Sequence, residues 1–89
     1  MKAIVTVVGK DQVGIIAMVC VKLAEYNVNV LDISQTVMQG YFTMMMVVEI
    51  SKCNVPLDEF VCQMAEVGQS KGLSIRVQRE EIFEAMHRV

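Results

Sequence analysis

The sequence predicts an α+β fold: a four-stranded antiparallel sheet with two helices on one face, in the order βαββαβ, plus a short C-terminal helix. Three observations carry this. Runs rich in β-branched residues alternate with two stretches whose apolar residues recur at helical spacing. The one Pro and five Gly sit where punctuation between elements is expected. The 89 residues suffice for one domain around one core, and no low-complexity or linker-like stretch divides them.

Residues 2–8, KAIVTVV, are β-branched and nearly all apolar, the pattern of a buried strand that Gly9 ends. The polar loop GKDQVG follows. From Ile15 to Tyr26 the apolar residues Ile16, Val19, Cys20 and Leu23 recur at helical spacing, with Asn27 as C-cap. Val28 to Gln39 and Tyr41 to Ile50 read as two strands of a hairpin turning at Gln39–Gly40.

Pro56 suits a first helical turn and Asp58 and Glu59 complement the helix dipole, while Leu57, Phe60, Val61, Met64 and Val67 form an apolar stripe running toward Gly72. In Leu73 to Arg79, Leu73, Ile75 and Val77 alternate with polar residues, which marks a strand with one wet face. The last ten residues, EEIFEAMHRV, place Ile82, Phe83 and Met86 on one side of a helical tail over 80–89. Two split βαβ units with right-handed crossovers give the ferredoxin-like sandwich, which by itself names no function.

Composition excludes several classes of partner. The chain is 54% hydrophobic with a mean hydropathy of +0.45, yet no apolar run approaches the ~20 residues that cross a bilayer. Net charge is −2 and the eight Lys and Arg are scattered, so neither a nucleic-acid backbone nor a membrane surface meets a basic patch. The N-terminal stretch does not read as a signal peptide, and a cytoplasmic location is expected. Cys20, Cys53 and Cys62 form an odd set without C-x-x-C spacing, which fits reduced thiols rather than disulfides or zinc. Cys20 and Cys62 are expected in the core and Cys53 exposed.

Surplus apolar surface points to a homodimer or a higher homo-oligomer. Ile4 and Val8 lie on the parity opposite Ala3, Val5 and Val7, and Met44 to Val48 is apolar on both parities. Met18 and Val21 project from the outer side of helix one. Large exposed apolar patches on soluble proteins mark interfaces. The alternative is that the tail covers the sheet within one chain.

The loop between strand one and helix one is the principal chemical candidate. A helix N-terminus presents unpaired N–H groups and partial positive charge, which suit a carboxylate or phosphate. Asp11 adds a charge able to hold an ammonium, and Asn29 at the start of strand two can lie near the loop with one donor and one acceptor group. The same residues also fit a plain structural role, with Asp11 capping helix one and the glycines shaping the turn.

Other candidates are weaker. Consecutive strand residues point to opposite faces, so Met44, Met45 and Met46 cannot converge on a metal. His87 has no nucleophile in view, and no catalytic residue, metal site or cofactor is expected. The exposed aromatics of RNA-recognition domains, the C-x-x-C of metallochaperones and the Gly-rich loop with Arg of acylphosphatases are all missing.

The stretch from VTVVGKDQVGII through NVNVLDISQT to GYFTMMM resembles the ACT-domain pattern, in which a D-x-x-G loop opens helix one and an N-I/V segment opens strand two. It is most similar to small stand-alone prokaryotic ACT proteins that end in an R-E-E-I-F-x-x-M-H-R tail. The resemblance implies an effector such as an amino acid, bound at a dimer interface between this loop of one chain and strand two of its neighbour. On that reading Asp11, Gln12, Val13, Gly14 and Ile15 form the loop site and Asn29 the strand-two contact. Val13 stands where many ACT loops carry Pro. The expectation is a regulatory, non-catalytic binding module whose target is another molecule. The alternative is a protein–protein interaction module that binds an unidentified partner without a ligand.

Overall fold

The computed structural model describes residues 1–81, in which six elements follow in the expected order. They are β1 (Lys2–Lys10), α1 (Ile15–Glu25), β2 (Asn29–Met38), β3 (Tyr41–Glu49), α2 (Leu57–Ser70) and β4 (Ser74–Arg79). The strands form one sheet in the order β2-β3-β1-β4, antiparallel at every pairing. The fold is thus the α+β, ferredoxin-like βαββαβ sandwich. The expected terminal helix over 80–89, with Ile82, Phe83 and Met86, lies from residue 82 onward outside the described residues, as does His87.

Strand parity builds the core. Val5 pairs with Met46 and Val77, and Val7 with Met44 and Ile75, so these side chains share the sheet face under the helices. Ala3, Val5, Val7, Met44, Met46 and Val48 are fully buried there with Val19 of α1 and Phe60 and Met64 of α2. Tyr26 meets Phe60 edge to face at 5.6 Å and 72°, a favoured aromatic geometry. Met45, between two buried methionines, points to the other face and is exposed, so the methionine run behaves as its alternation requires.

Gln39 and Gly40 both have positive φ, 51° and 82°. This primed turn matches the twist of the β2–β3 hairpin. Two glycines do not punctuate: Gly9, expected to end the first strand, lies inside β1 paired with Phe42, and Gly68 lies inside α2, where an added Cβ would sit 2.8 Å from the Leu73 carbonyl oxygen and 2.9 Å from Ile75 Cγ1. Helix and strand approach closely there because residue 68 has no side chain.

Several expectations are corrected. The buried stripe of α1 is Ile15, Val19 and Leu23, and Ile16 is exposed. Ile15, Val19 and Leu23 form an i, i+4, i+8 row that packs on the sheet, and Ile16 falls about 100° further round. Met18 packs against the core rather than projecting from the outer side, while Val21 does face outward. The cysteine assignments change too: Cys62 is exposed, and Cys53 packs against the core. The core row of α2 is Phe60, Met64 and Gly68, which turns Cys62 roughly 200° away.

Cover is uneven across the sheet. Every residue of β2 except half-buried Val30 is exposed. Ile33 and Val37 pair with buried Met46 and Phe42 and share their sheet face, yet they are 41% and 54% exposed. A bulge between Val30 and Asp32 shifts the register near the start of this edge strand.

Candidate functional site

The loop Asp11–Gly14 joins β1 to α1 and is held by its first two residues. Asp11 N donates to the Gly40 carbonyl at 2.8 Å, laying the loop against the β2–β3 turn. Gln12 Nε2 donates to the Lys71 carbonyl at 3.0 Å, tying it to the end of α2. Val13, which follows them, is fully exposed, and Ile15 turns into the core.

Gly14 is the N-cap of α1, with φ 86°. This left-handed conformation favours glycine, and an added Cβ would meet nothing within 4 Å. The space beside Gly14 is therefore open. No side chain caps this helix, and its first turn contains no acid. The capping role considered for Asp11 is not the one the structure gives it. The first-turn N–H groups and the positive end of the helix dipole remain available to an anion. Gln12, Val13, Gly14, Ile15 and Met18 border a cleft of about 160 Å³ together with Lys71 and Leu73, and Asp11 is not among its lining residues.

Lys71 escaped sequence reasoning. It is remote in sequence, and only the Gln12 hydrogen bond and the packing of α2 on β4 bring it beside the loop. Asn29 requires the opposite correction. It pairs with Glu49, which pairs with Lys2, whereas the loop follows Lys10, whose partner Tyr41 pairs with Met38. Within one chain Asn29 and the loop thus lie at opposite ends of the sheet, roughly 25 Å apart at ~3.3 Å per strand residue.

Asn29 has company of its own. With Asn27, Glu49, Ser51 and Lys52 it lines a larger cleft of about 470 Å³ beside the C-terminal end of α1. Asn27 Nδ2 donates to the Lys52 carbonyl at 2.9 Å and Asn54 Nδ2 to the Glu25 carbonyl at 2.8 Å, fixing the turn after β3 to the end of α1. Glu49 Oε1 accepts from the Met1 ammonium at 2.6 Å and from the Ser51 hydroxyl and backbone N–H. The ammonium first and Ser51 second hold the Glu49 carboxyl down at about 2, from an ordinary 4.5. Among the described residues, the side chains of Asn29 and Lys52 have no hydrogen-bond or ion-pair partner.

Among the described residues no three His, Cys, Asp or Glu side chains are grouped to hold a metal ion, and no helix is long and apolar enough to cross a membrane. Gln12 to Ile15 and Asn29 border two separate clefts.

Comparison with known proteins places the chain in a family. A model of the ACT domain matches residues 2–78. A UPF0237 protein of Listeria monocytogenes is 52% identical over 89 residues, covering 100% of both chains. A UPF0237 protein of Bifidobacterium longum is 53% identical over 88 residues, covering 99% of this chain and 98% of its own. Among solved structures, an ACT domain protein from Streptococcus pneumoniae superposes with a TM-score of 0.82 at 47% identity, covering 98% of each chain. ACT domains are commonly regulatory ligand-binding units. With its βαββαβ sandwich, its D-x-x-G loop opening α1 and these matches along its length, the chain belongs to the ACT domain family.

Proposed function

We propose that this chain is a non-catalytic regulatory module of the cytoplasm, a homodimer that binds an amino acid or similar small carboxylate between the Asp11–Gly14 loop of one subunit and Asn29 of the partner subunit. The observation that carries the reading is the open start of α1, with glycine as N-cap, no acid in its first turn and Lys71 across the cleft. The start of α1 and Lys71 border one small space, and the helix N-terminus favours an anionic group there. Asp11, on the same loop, is free to take the ammonium.

The unfinished β2 edge supplies the second half. An exposed edge strand is a template for pairing, and burial of Ile33 and Val37 favours it. If two β2 strands pair antiparallel about a two-fold axis, the Asn29 end of one lies opposite the Met38 end of the other. The separation found within one chain is then removed across the interface.

Isothermal titration with each proteinogenic amino acid tests the proposal. A heat of binding for at least one, weakened about tenfold by Lys71→Ala, is expected for loss of a charge-assisted contact. Silence across the panel at millimolar concentration contradicts it and favours the interaction-module alternative.

A further inference from the structure

The sheet face opposite the helices has an apolar centre that neither helix covers. One row of paired residues crosses all four strands on that face: Asp32 of β2, Val47 of β3, Ile4 of β1 and Gln78 of β4. Ser34, Met45, Thr6 and Arg76 form the next row. Ile4, Val47 and Met45 line an apolar groove of about 170 Å³ there, with Asp32 and Ser34 at its β2 end. Cover on this face is graded along the strands. Ile4 is only 7% exposed and Val47 and Gln78 are half-buried, whereas Met45 and, further along, Val8 are exposed. The better-covered row is the one that ends beside Arg79, where β4 leaves the sheet.

Glu80 and Glu81 turn helical at that exit, with Arg79 Nη1 3.3 Å from Glu81 Oε1. Residues 82–89 follow, outside the described residues. Their sequence, IFEAMHRV, has Ile82, Phe83 and Met86 at helical spacing and then Arg88. At a helical rise of ~1.5 Å, eight residues span about 12 Å. From β4 to β2 is three strand spacings, about 14 Å. Order and length thus match the row: apolar residues come first, over Ile4 and Val47, and the basic end arrives at Asp32, the charged residue of the groove.

We infer that residues 82–89 dock across this groove within their own chain, Ile82, Phe83 and Met86 covering Ile4, Val47 and Met45, and Arg88 meeting Asp32. The tail is tethered at the rim of the groove, so its local concentration exceeds that of a second copy in solution. Cover on this face leaves the β2 edge free in the plane of the sheet. The two surplus apolar surfaces therefore have separate partners: the edge takes a second subunit and the face takes the tail.

A double-mutant cycle in the full chain tests the inference, with Met45→Ala on the groove, Phe83→Ala on the tail, and urea unfolding as the readout. The two losses should not add, and the coupling should be worth about tenfold in the unfolding equilibrium constant. The second measurement is oxidation of a Met45→Cys, Phe83→Cys pair in a Cys62→Ser background, read by denaturing mass spectrometry. A disulfide within one 10.0 kDa chain is expected. Losses that simply add, or a disulfide that joins two chains, overturn the inference.

Discussion

The two edge strands of the sheet have been treated differently. β4 lies beneath α2: Ile75 and Val77 are buried, and the close approach at Gly68 locks strand to helix. β2 is longer and contains Leu31, Ile33, Val37 and Met38, yet it buries no residue of its own. The two βαβ halves therefore end in one finished edge and one unfinished edge. The finished edge stabilises the protomer and the unfinished one is free to build an interface. The helix starts divide in the same way. Asp58 and Glu59 occupy the first turn of α2 and satisfy its dipole internally, whereas the first turn of α1 has no such residue and opens on Lys71.

This contrast can be broken by substitution. The largest effect is expected at the finished edge: Ile75→Ala should cost about 2–5 kcal/mol, because a buried side chain between Val7 and Gly68 leaves a cavity that the sheet cannot close. Denaturant unfolding measures it, and a cost under ~1 kcal/mol would mean that β4 is not locked as described. The smallest effect is expected at Glu49. Its folded value of about 2 lies below the ordinary 4.5, so its contribution to stability is present above that ordinary value and is lost as pH falls toward 2. The thermal midpoint of wild type should exceed that of Glu49→Gln at neutral pH, and the gap should close between pH 4.5 and about 2. A gap unchanged at the acid end would mean that the carboxylate is not held by the Met1 ammonium and Ser51.

Much of the fold was legible because local chemistry and burial agree. The Gln39–Gly40 turn, the acids opening α2 and the alternation in β4 each point to one structure. The phase of α1 was misread because Ile15 and Ile16 are chemically alike. Either one lines up with Val19 and Leu23 at helical spacing, and only packing on the sheet decides between them. Cys53 and Cys62 exchanged roles for a related reason, since a small apolar residue fits either surface or core. The loop of the candidate site could be read because its residues are contiguous. Lys71 could not, because only the packing of α2 on β4 brings it beside the loop. The bareness of β2 was equally hidden, since Val and Ile fill a strand whether a helix covers it or a second chain does.

Pairing of the unfinished edge between two subunits is the central claim. Light scattering coupled to size exclusion, at micromolar protein, tests it most directly. Wild type should elute at about twice the 10.0 kDa of one chain, and Val37→Lys, which places a charge on the exposed β2 face, should elute as a folded monomer. A wild-type species at 10.0 kDa, or a Val37→Lys variant that remains a dimer, would contradict it.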